Sequence, residues 1–249
     1  MGSEQPVSNC RSLAGQLAVV TGASSGVGKA IAIALAKQGA RLAIVGRNQT
    51  ALAEVAGIVR QHSQAAEFQI DLAAGDIRPL LGYVEREGGQ LHILVHSAGI
   101  IYQARMESTP LEDLDSQFAT NVRAPYALTK SMLPFLLKAQ GQVVFINSSA
   151  GLSAKRADIG VYAASKHALK ALADSLREEV NSRDVRVLSM YLGRAATPMQ
   201  QALLQQEGKP YVPEKLLQPE DVAAMVIHSL MLPMTAEVTD ISIRPMKGL

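Results

Sequence analysis

The chain has 249 residues, with 24 Lys plus Arg against 22 Asp plus Glu, 48% hydrophobic and 18% charged residues, and a single cysteine. So even a charge balance, with no concentrated basic stripe, argues against nucleic-acid binding, and the apolar fraction argues against disorder. Cys10 alone forms neither an internal disulfide nor a cysteine-based zinc cluster, and no apolar run approaches the roughly 18 residues of a membrane span.

Residues 1–14 read as a flexible tail, which lacks the basic and apolar regions of a signal peptide and so points to the cytoplasm. One domain, 15–249, is expected to follow. Leu17–Thr21 reads as a strand and Val27–Lys37 as a helix, then strand Arg41–Val45, helix Thr50–Gln61, strand Glu67–Asp71 and helix Ile77–Glu87. The alternation continues with strand Leu91–His96, one long helix Leu111–Lys138, strand Gln142–Asn147, helix Val161–Asn181 and strand Val185–Tyr191. Pro198–Gln218 reads as a long irregular stretch of the kind that forms lids. Helix Pro219–Leu230 and strand Val238–Ile243 close the chain. Strands such as Leu17–Val20 and Ile93–Val95 are apolar at every position, which fits strands covered on both faces of a parallel sheet. The strict alternation predicts an α/β fold with a doubly wound sheet and right-handed crossovers.

The first strand runs into Thr21-Gly22-Ala23-Ser24-Ser25-Gly26-Val27-Gly28, directly before a helix. Glycines there permit a sharp turn and a close diphosphate, and the helix start offers free N–H groups. In such turns an acidic residue about 20 positions on holds a ribose 2′-hydroxyl, whereas an Arg accepts a 2′-phosphate. The second strand ends Gly46-Arg47-Asn48, with no carboxylate, so NADP(H) is expected over NAD(H).

Tyr162-Ala163-Ala164-Ser165-Lys166 opens a long helical segment, and positions i and i+4 share a face. A Tyr near pKa 10 is a poor acid–base catalyst at neutral pH. The nearby ammonium is expected to lower that pKa and make the phenol a proton-transfer group.

In order along the chain, Thr21–Gly28, Asp71-Leu72, His96-Ser97-Ala98-Gly99, Asn121, Ser148-Ser149 and Tyr162 with Lys166 resemble the motifs of the short-chain dehydrogenase/reductase family. The resemblance covers nearly the whole chain. It implies a Rossmann-type seven-stranded parallel sheet with helices on both faces, in three layers, and hydride transfer between a nicotinamide and a carbonyl or carbinol carbon. It implies Tyr162 as general acid/base and Ser148 as donor to the substrate oxygen. Lys166 would bind the nicotinamide ribose and tune Tyr162, and Asn121 would hold a water in the proton relay. Asp71 would contact the adenine and Thr197 the carboxamide. The wider cofactor set carried by the resemblance is Gly22, Ser24, Ser25, Gly26, Val27, Gly28, Arg47, Asn48, Asp71, Leu72, Ser97, Ala98, Gly99, Asn121, Tyr162, Lys166, Gly193, Ala195 and Thr197. The ending Glu237–Met246 is similar to the 3-hydroxy acid and clavaldehyde dehydrogenase branch.

The chain departs from the family pattern in reading His96-Ser97 where two Asn are usual, Leu192-Gly193 where Pro-Gly is usual, and one extra residue between Ser148 and Tyr162. Counting back from Tyr162 would select Ser149. Strand register selects Ser148, because a one-residue slip would turn every side chain of the strand to its other face. No metal is expected: His92 and His96 share a strand face, but no third ligand is evident. Lys155 and Arg156 read as a solvated loop, with contact to a substrate carboxylate as the second reading. The resulting expectation is an NADP(H)-dependent oxidoreductase of a small ketone, aldehyde or 3-hydroxy acid. Its rivals are a 3-oxoacyl-thioester reductase and a non-catalytic NADP(H)-binding regulator. A homotetramer or homodimer is expected, with no nucleic-acid or membrane partner.

Overall fold

The runs that are apolar at every position become the middle of a sheet. The computed structural model describes residues 11–247. Its strands are β1 (Leu17–Thr21), β2 (Arg41–Gly46), β3 (Ala65–Gln69), β4 (Ile93–His96), β5 (Gln142–Ser148), β6 (Arg186–Leu192) and β7 (Asp240–Ile243). They form one parallel sheet in the order β3-β2-β1-β4-β5-β6-β7. The strand order reverses between β1 and β4, which places a crevice at their C-terminal ends.

Side chains alternate across the sheet and so divide the core into two layers. Ala18, Val20, Leu42, Ile44, Ile93 and Val95 face helices α1 (Gly26–Lys37), α2 (Gln49–Val59) and α8 (Pro219–Leu230). Leu17, Val19, Ala43, Leu94, Val143 and Phe145 face the other way. There they meet α3 (Arg78–Arg86), α5 (Ala124–Ala139) and α6 (Gly160–Val180). β1 is buried throughout, whereas the edge strands β3 and β7 are only half covered. That explains Glu67 and Gln69 in β3.

Four expectations need correction. β3 begins two residues earlier than its pattern suggests, because Ala65 is paired with Leu42 and Gln69 with Gly46; Asp71 therefore lies beyond the strand. The expected helix Leu111–Lys138 is α4 (Leu111–Phe118) and α5 joined by a π-helical turn at Ala119–Arg123. Part of the expected irregular stretch is a helix, α7 (Pro198–Gln206). Thr197 caps α7 by accepting from the Gln200 N–H at 3.2 Å, and Pro198 presets its first turn. Gly208, at φ +66°, ends it in a Schellman arrangement, with the Lys209 N–H on the Leu204 carbonyl at 2.8 Å. Finally, residues 11–14 are docked: Leu13 is buried, and the Arg11 N–H donates to the Met231 carbonyl at 2.7 Å. Cys10 and the rest of the expected tail lie outside the described residues.

His96 closes β4 with its ring inside the second layer. Its Nε2 lies 2.8 Å from Thr129 Oγ1, and the ring stacks on Phe145 with centroids 4.9 Å apart. Burial lowers its pKa to about 3. An unfolded His titrates near 6.5, so between about 6.5 and 3 the unfolded chain binds a proton that the fold refuses. Stability should therefore fall with falling pH through that window, by about 1.4 kcal/mol per pH unit from this group. Urea melts over the window should show a shallower slope for His96→Asn than for the parent protein.

Candidate active site

A cavity of about 740 Å³ opens at the reversal point, walled by the β1–α1 turn, the ends of β2, β4, β5 and β6, and the starts of α6 and α7. The turn can pass so near β4 only because it carries glycines. Gly22 has φ +64°, and a Cβ there would lie 2.7 Å from the Ala98 nitrogen; a Cβ on Gly28 would run into the Gly22 carbonyl oxygen. Thr21 Oγ1 fixes the approach: it donates to the Val95 carbonyl at 3.2 Å and accepts from the Ser97 and Ala98 N–H groups at 3.0 and 3.2 Å.

Ser25 precedes α1 without a side-chain cap bond, and the first turn holds no acidic residue, so its N–H groups stay available to an anion. Arg47 stands exposed at the end of β2 and makes no ion pair among the described residues. Asn48 caps α2 by accepting from the Ala51 N–H at 3.0 Å. The Asp71 carboxylate accepts from the Ala73 N–H at 3.0 Å. A glycine cradle, an uncapped helix start and an unpaired guanidinium together fit a phosphorylated dinucleotide.

Ser148, Tyr162 and Lys166 share one wall of the cavity. Ser148 ends β5 and is half-buried, Ser149 beside it is exposed, and both line the cavity. The Lys166 ammonium lies 5.8 Å from the centre of the Tyr162 ring and donates to the Ile146 carbonyl at 3.3 Å. Their electrostatics reverse the expectation. Burial raises the Tyr162 pKa, opposed in part by a hydrogen bond with Ser148, and burial lowers that of Lys166 to about 8. Desolvation is the leading cause in both, although Tyr162 keeps part of its surface open to the cavity.

Asn121 sits in the π-helical turn and does not line the cavity. Its side-chain N–H groups donate to the Ile100 carbonyl at 2.9 Å and to Ser165 Oγ at 3.1 Å, while its oxygen accepts from the Ile100 N–H at 2.9 Å. Both amide donors are spent, so the side chain holds the loop after β4 against α6. Every other residue expected at the site lines the cavity. So do residues that sequence reasoning missed: Gln103, Arg194, Met199, Gln200, Leu203 and Glu207. Arg156 joins them, against the solvated-loop reading, while Lys155 is exposed. Although burial opposes it, hydrogen bonds from Arg194, Lys209, Gln103 and Arg156 hold the Glu207 carboxyl well below the usual carboxylate range.

The family model for short chain dehydrogenases matches residues 16–208. The chain belongs to the short-chain dehydrogenase family. An uncharacterized short-chain type dehydrogenase/reductase of Sinorhizobium fredii is 32% identical over 235 residues, 92% of this chain and 91% of that one. An uncharacterized oxidoreductase of Staphylococcus epidermidis is 31% identical over 231 residues, 92% of this chain and 97% of that protein. Among solved structures, a metagenomic short-chain oxidoreductase in complex with NADP is similar at 29% identity and a TM-score of 0.81, covering 95% of this chain and all (100%) of that one. An alcohol dehydrogenase from Thermococcus sibiricus, complexed with 5-hydroxy-NADP, superposes with a TM-score of 0.82 at 26% identity, over 93% of this chain and 97% of its own.

Lys166 gives this short-chain dehydrogenase a measurable stability signature. A buried lysine with a lowered pKa destabilises the fold at neutral pH, and stability recovers as pH rises from about 8 toward the unfolded value near 10.4. Lys166→Met should therefore stabilise the protein at pH 7, by no more than about 3 kcal/mol. It should also remove the gain between pH 8 and 10. Chemical denaturation at the two pH values checks both.

Proposed function

We propose that the protein is an NADP(H)-dependent oxidoreductase that interconverts a carbonyl group and an alcohol in a small ketone, aldehyde or 3-hydroxy acid. The observation that carries this reading is the gathering of Ser148, Tyr162 and Lys166 on the same cavity that the Gly22–Gly28 cradle lines. Residues of that turn, with the start of α1 and Arg47, would hold the cofactor's phosphates. When bound, the nicotinamide supplies or accepts the hydride.

The chain's own residues handle the proton and the oxygen. Ser148 donates to the substrate oxygen and holds it beside the Tyr162 hydroxyl. The raised pKa keeps Tyr162 protonated at neutral pH, so it is ready to give its proton to an oxygen that gains charge. The charge of Lys166 stabilises the phenolate left behind. Asn121 acts as a positioning residue, because its bonds to Ile100 and Ser165 set the distance between the loop after β4 and α6.

The proposal includes a homotetramer or homodimer. Leu111 is 74% and Tyr126 54% exposed on the α4–α5 side, apolar area that a subunit contact would cover. Light scattering should give a mass well above the 26.5 kDa of one chain.

Cofactor choice is tested at Arg47. NADPH should be preferred over NADH, and Arg47→Asp should reverse the preference. A charge-assisted phosphate bond of roughly 1.5–3 kcal/mol corresponds to about ten- to hundredfold in affinity. Titration with each cofactor, followed by nicotinamide fluorescence, measures it.

The acid–base assignment is tested by NADPH oxidation against a carbonyl panel. Tyr162→Phe should abolish turnover and leave NADPH affinity nearly unchanged. Ser148→Ala should lower kcat by about 10²-fold or more, as for loss of a donor to a reacting oxygen, with Ser149→Ala much milder. A non-catalytic regulator would show no turnover in the parent protein, and a thioester reductase would act on 3-oxoacyl thioesters alone.

A further inference from the structure

We propose that Glu207 is a positioning residue for the substrate side of the cavity: it fastens the C-terminal end of α7 to three loops around the cavity and so sets which way the Leu203 face of that helix is turned. The inference deepens the oxidoreductase reading and rests on it, because that face of α7 lines the same cavity as Ser148 and Tyr162.

Nothing local favours this arrangement. α7 has nine residues, and isolated helices shorter than about 12–15 residues are marginal in water. Its last turn holds no basic residue, and its C-cap is Glu207, a carboxylate at the negative end of the helix dipole. Conflicts of that kind between local preference and fold are expected at functional sites. The partners that settle this one come from elsewhere in the chain. Glu207 Oε1 accepts from Gln103 Nε2 at 3.3 Å in the loop after β4, from Arg156 Nη1 at 2.8 Å in the loop after β5, and from Arg194 Nη2 at 2.9 Å in the loop after β6. Its Oε2 accepts from Arg194 Nη2 at 3.1 Å and Lys209 Nζ at 2.9 Å. With its side chain only 9% exposed, Glu207 meets these donors largely out of water, where charge-assisted bonds are strong.

The frame that receives Glu207 has bonds of its own. Arg156 Nε and Nη2 hold the Asp158 carboxylate at 3.1 and 2.6 Å, and the Asp158 carbonyl accepts from the Ala104 N–H at 3.0 Å, which ties the loops after β4 and β5 to each other. At the other end of α7, Thr197 lies against the cradle, since a Cβ on Gly26 would stand 2.9 Å from its Cγ2. Leu204 is fully buried and keeps the helix on the protein, but apolar burial has no preferred direction. Hydrogen bonds do have one, and those to Glu207 supply it. Met199, Leu203 and Glu207 follow at i, i+4 and i+8 and all line the cavity, so they share one face of α7. Without the carboxylate α7 stays in place on Leu204, while the face that carries Leu203 is free to turn.

The test measures hydrogen exchange of the NADPH complex by mass spectrometry, beside KM and kcat for the smallest and the longest carbonyl that the protein reduces in a panel from acetaldehyde to benzylacetone. The Gly208 and Lys209 N–H groups bond to the Gln205 and Leu204 carbonyls and report on the end of α7. In Glu207→Gln, whose amide puts a donor where the carboxylate has an acceptor, these amides should exchange roughly ten- to hundredfold faster, the size expected of lost charge-assisted bonds, with the strands of the sheet unchanged. KM for the longest carbonyl should rise roughly tenfold with kcat largely kept, and KM for the smallest should rise far less. Glu207→Asp keeps the charge and should recover part of both effects. If Glu207 is only a structural contact, Glu207→Gln will speed exchange in the strands as well as in α7 and cut kcat for both carbonyls in parallel, and the proposal fails. It fails too if exchange in α7, or KM for the longest carbonyl, does not change. Should Glu207→Gln not fold, Arg156→Met, which leaves Glu207 its bonds to Arg194 and Lys209, decides by the same two measurements. Normal turnover with α7 exchange indifferent to Glu207 overturns this inference and leaves the oxidoreductase reading standing. A parent protein that reduces no carbonyl overturns both.

Discussion

The β1–α1 turn must pass within contact of the end of β4, and the rest of the site is built on that near-collision. Gly22 lies against the Ala98 backbone, Gly28 lies against Gly22, and Thr21 ties the two strand ends with three hydrogen bonds. The contact chain continues, because a Cβ on Gly99 would stand 3.3 Å from Asn121 Oδ1 and 3.6 Å from Lys166 Nζ. Backbone against backbone fixes the approach of the β1–α1 turn to the end of β4, and the Asn121 and Lys166 side chains carry the contact on toward α6. Such contacts yield little to thermal motion, since protein interiors are close-packed.

The electrostatics of Tyr162 and Lys166 follow from the same packing. Spacing along a helix brings phenol and ammonium together, but it does not say how much water they keep. In the fold both lose most of it, and desolvation raises one pKa and lowers the other. Tyr162 is therefore held protonated, while Lys166, with a pKa of about 8, still carries its charge in most molecules at neutral pH.

Much of this was legible in the sequence. Strands covered on both faces announce themselves by unbroken apolar runs, and the glycine turn and Tyr162-to-Lys166 spacing are local signals. Illegible features had non-local causes. β3 takes its position from pairing with β2, and the π-helical turn at Asn121 depends on the Ile100 backbone and Ser165, both distant in sequence. Gln103, Arg156, Arg194 and Glu207 show no shared pattern along the chain, and only folding brings them onto one wall. The helix α7 is a different case, since Thr197-Pro198 and Gly208 are ordinary start and stop signals that its Gln-rich composition concealed.

Those two signals have a consequence for how the protein can diversify. The nine residues of α7 carry their own cap and their own stop, and they contribute Met199, Gln200 and Leu203 to the cavity without adding a strand to the sheet. Leu204 is fully buried and anchors the helix, while Met199, 43% exposed, can change without disturbing the two core layers. Evolution can therefore vary this end of the cavity at positions such as Met199 at small thermodynamic penalty, with Leu204 kept in place.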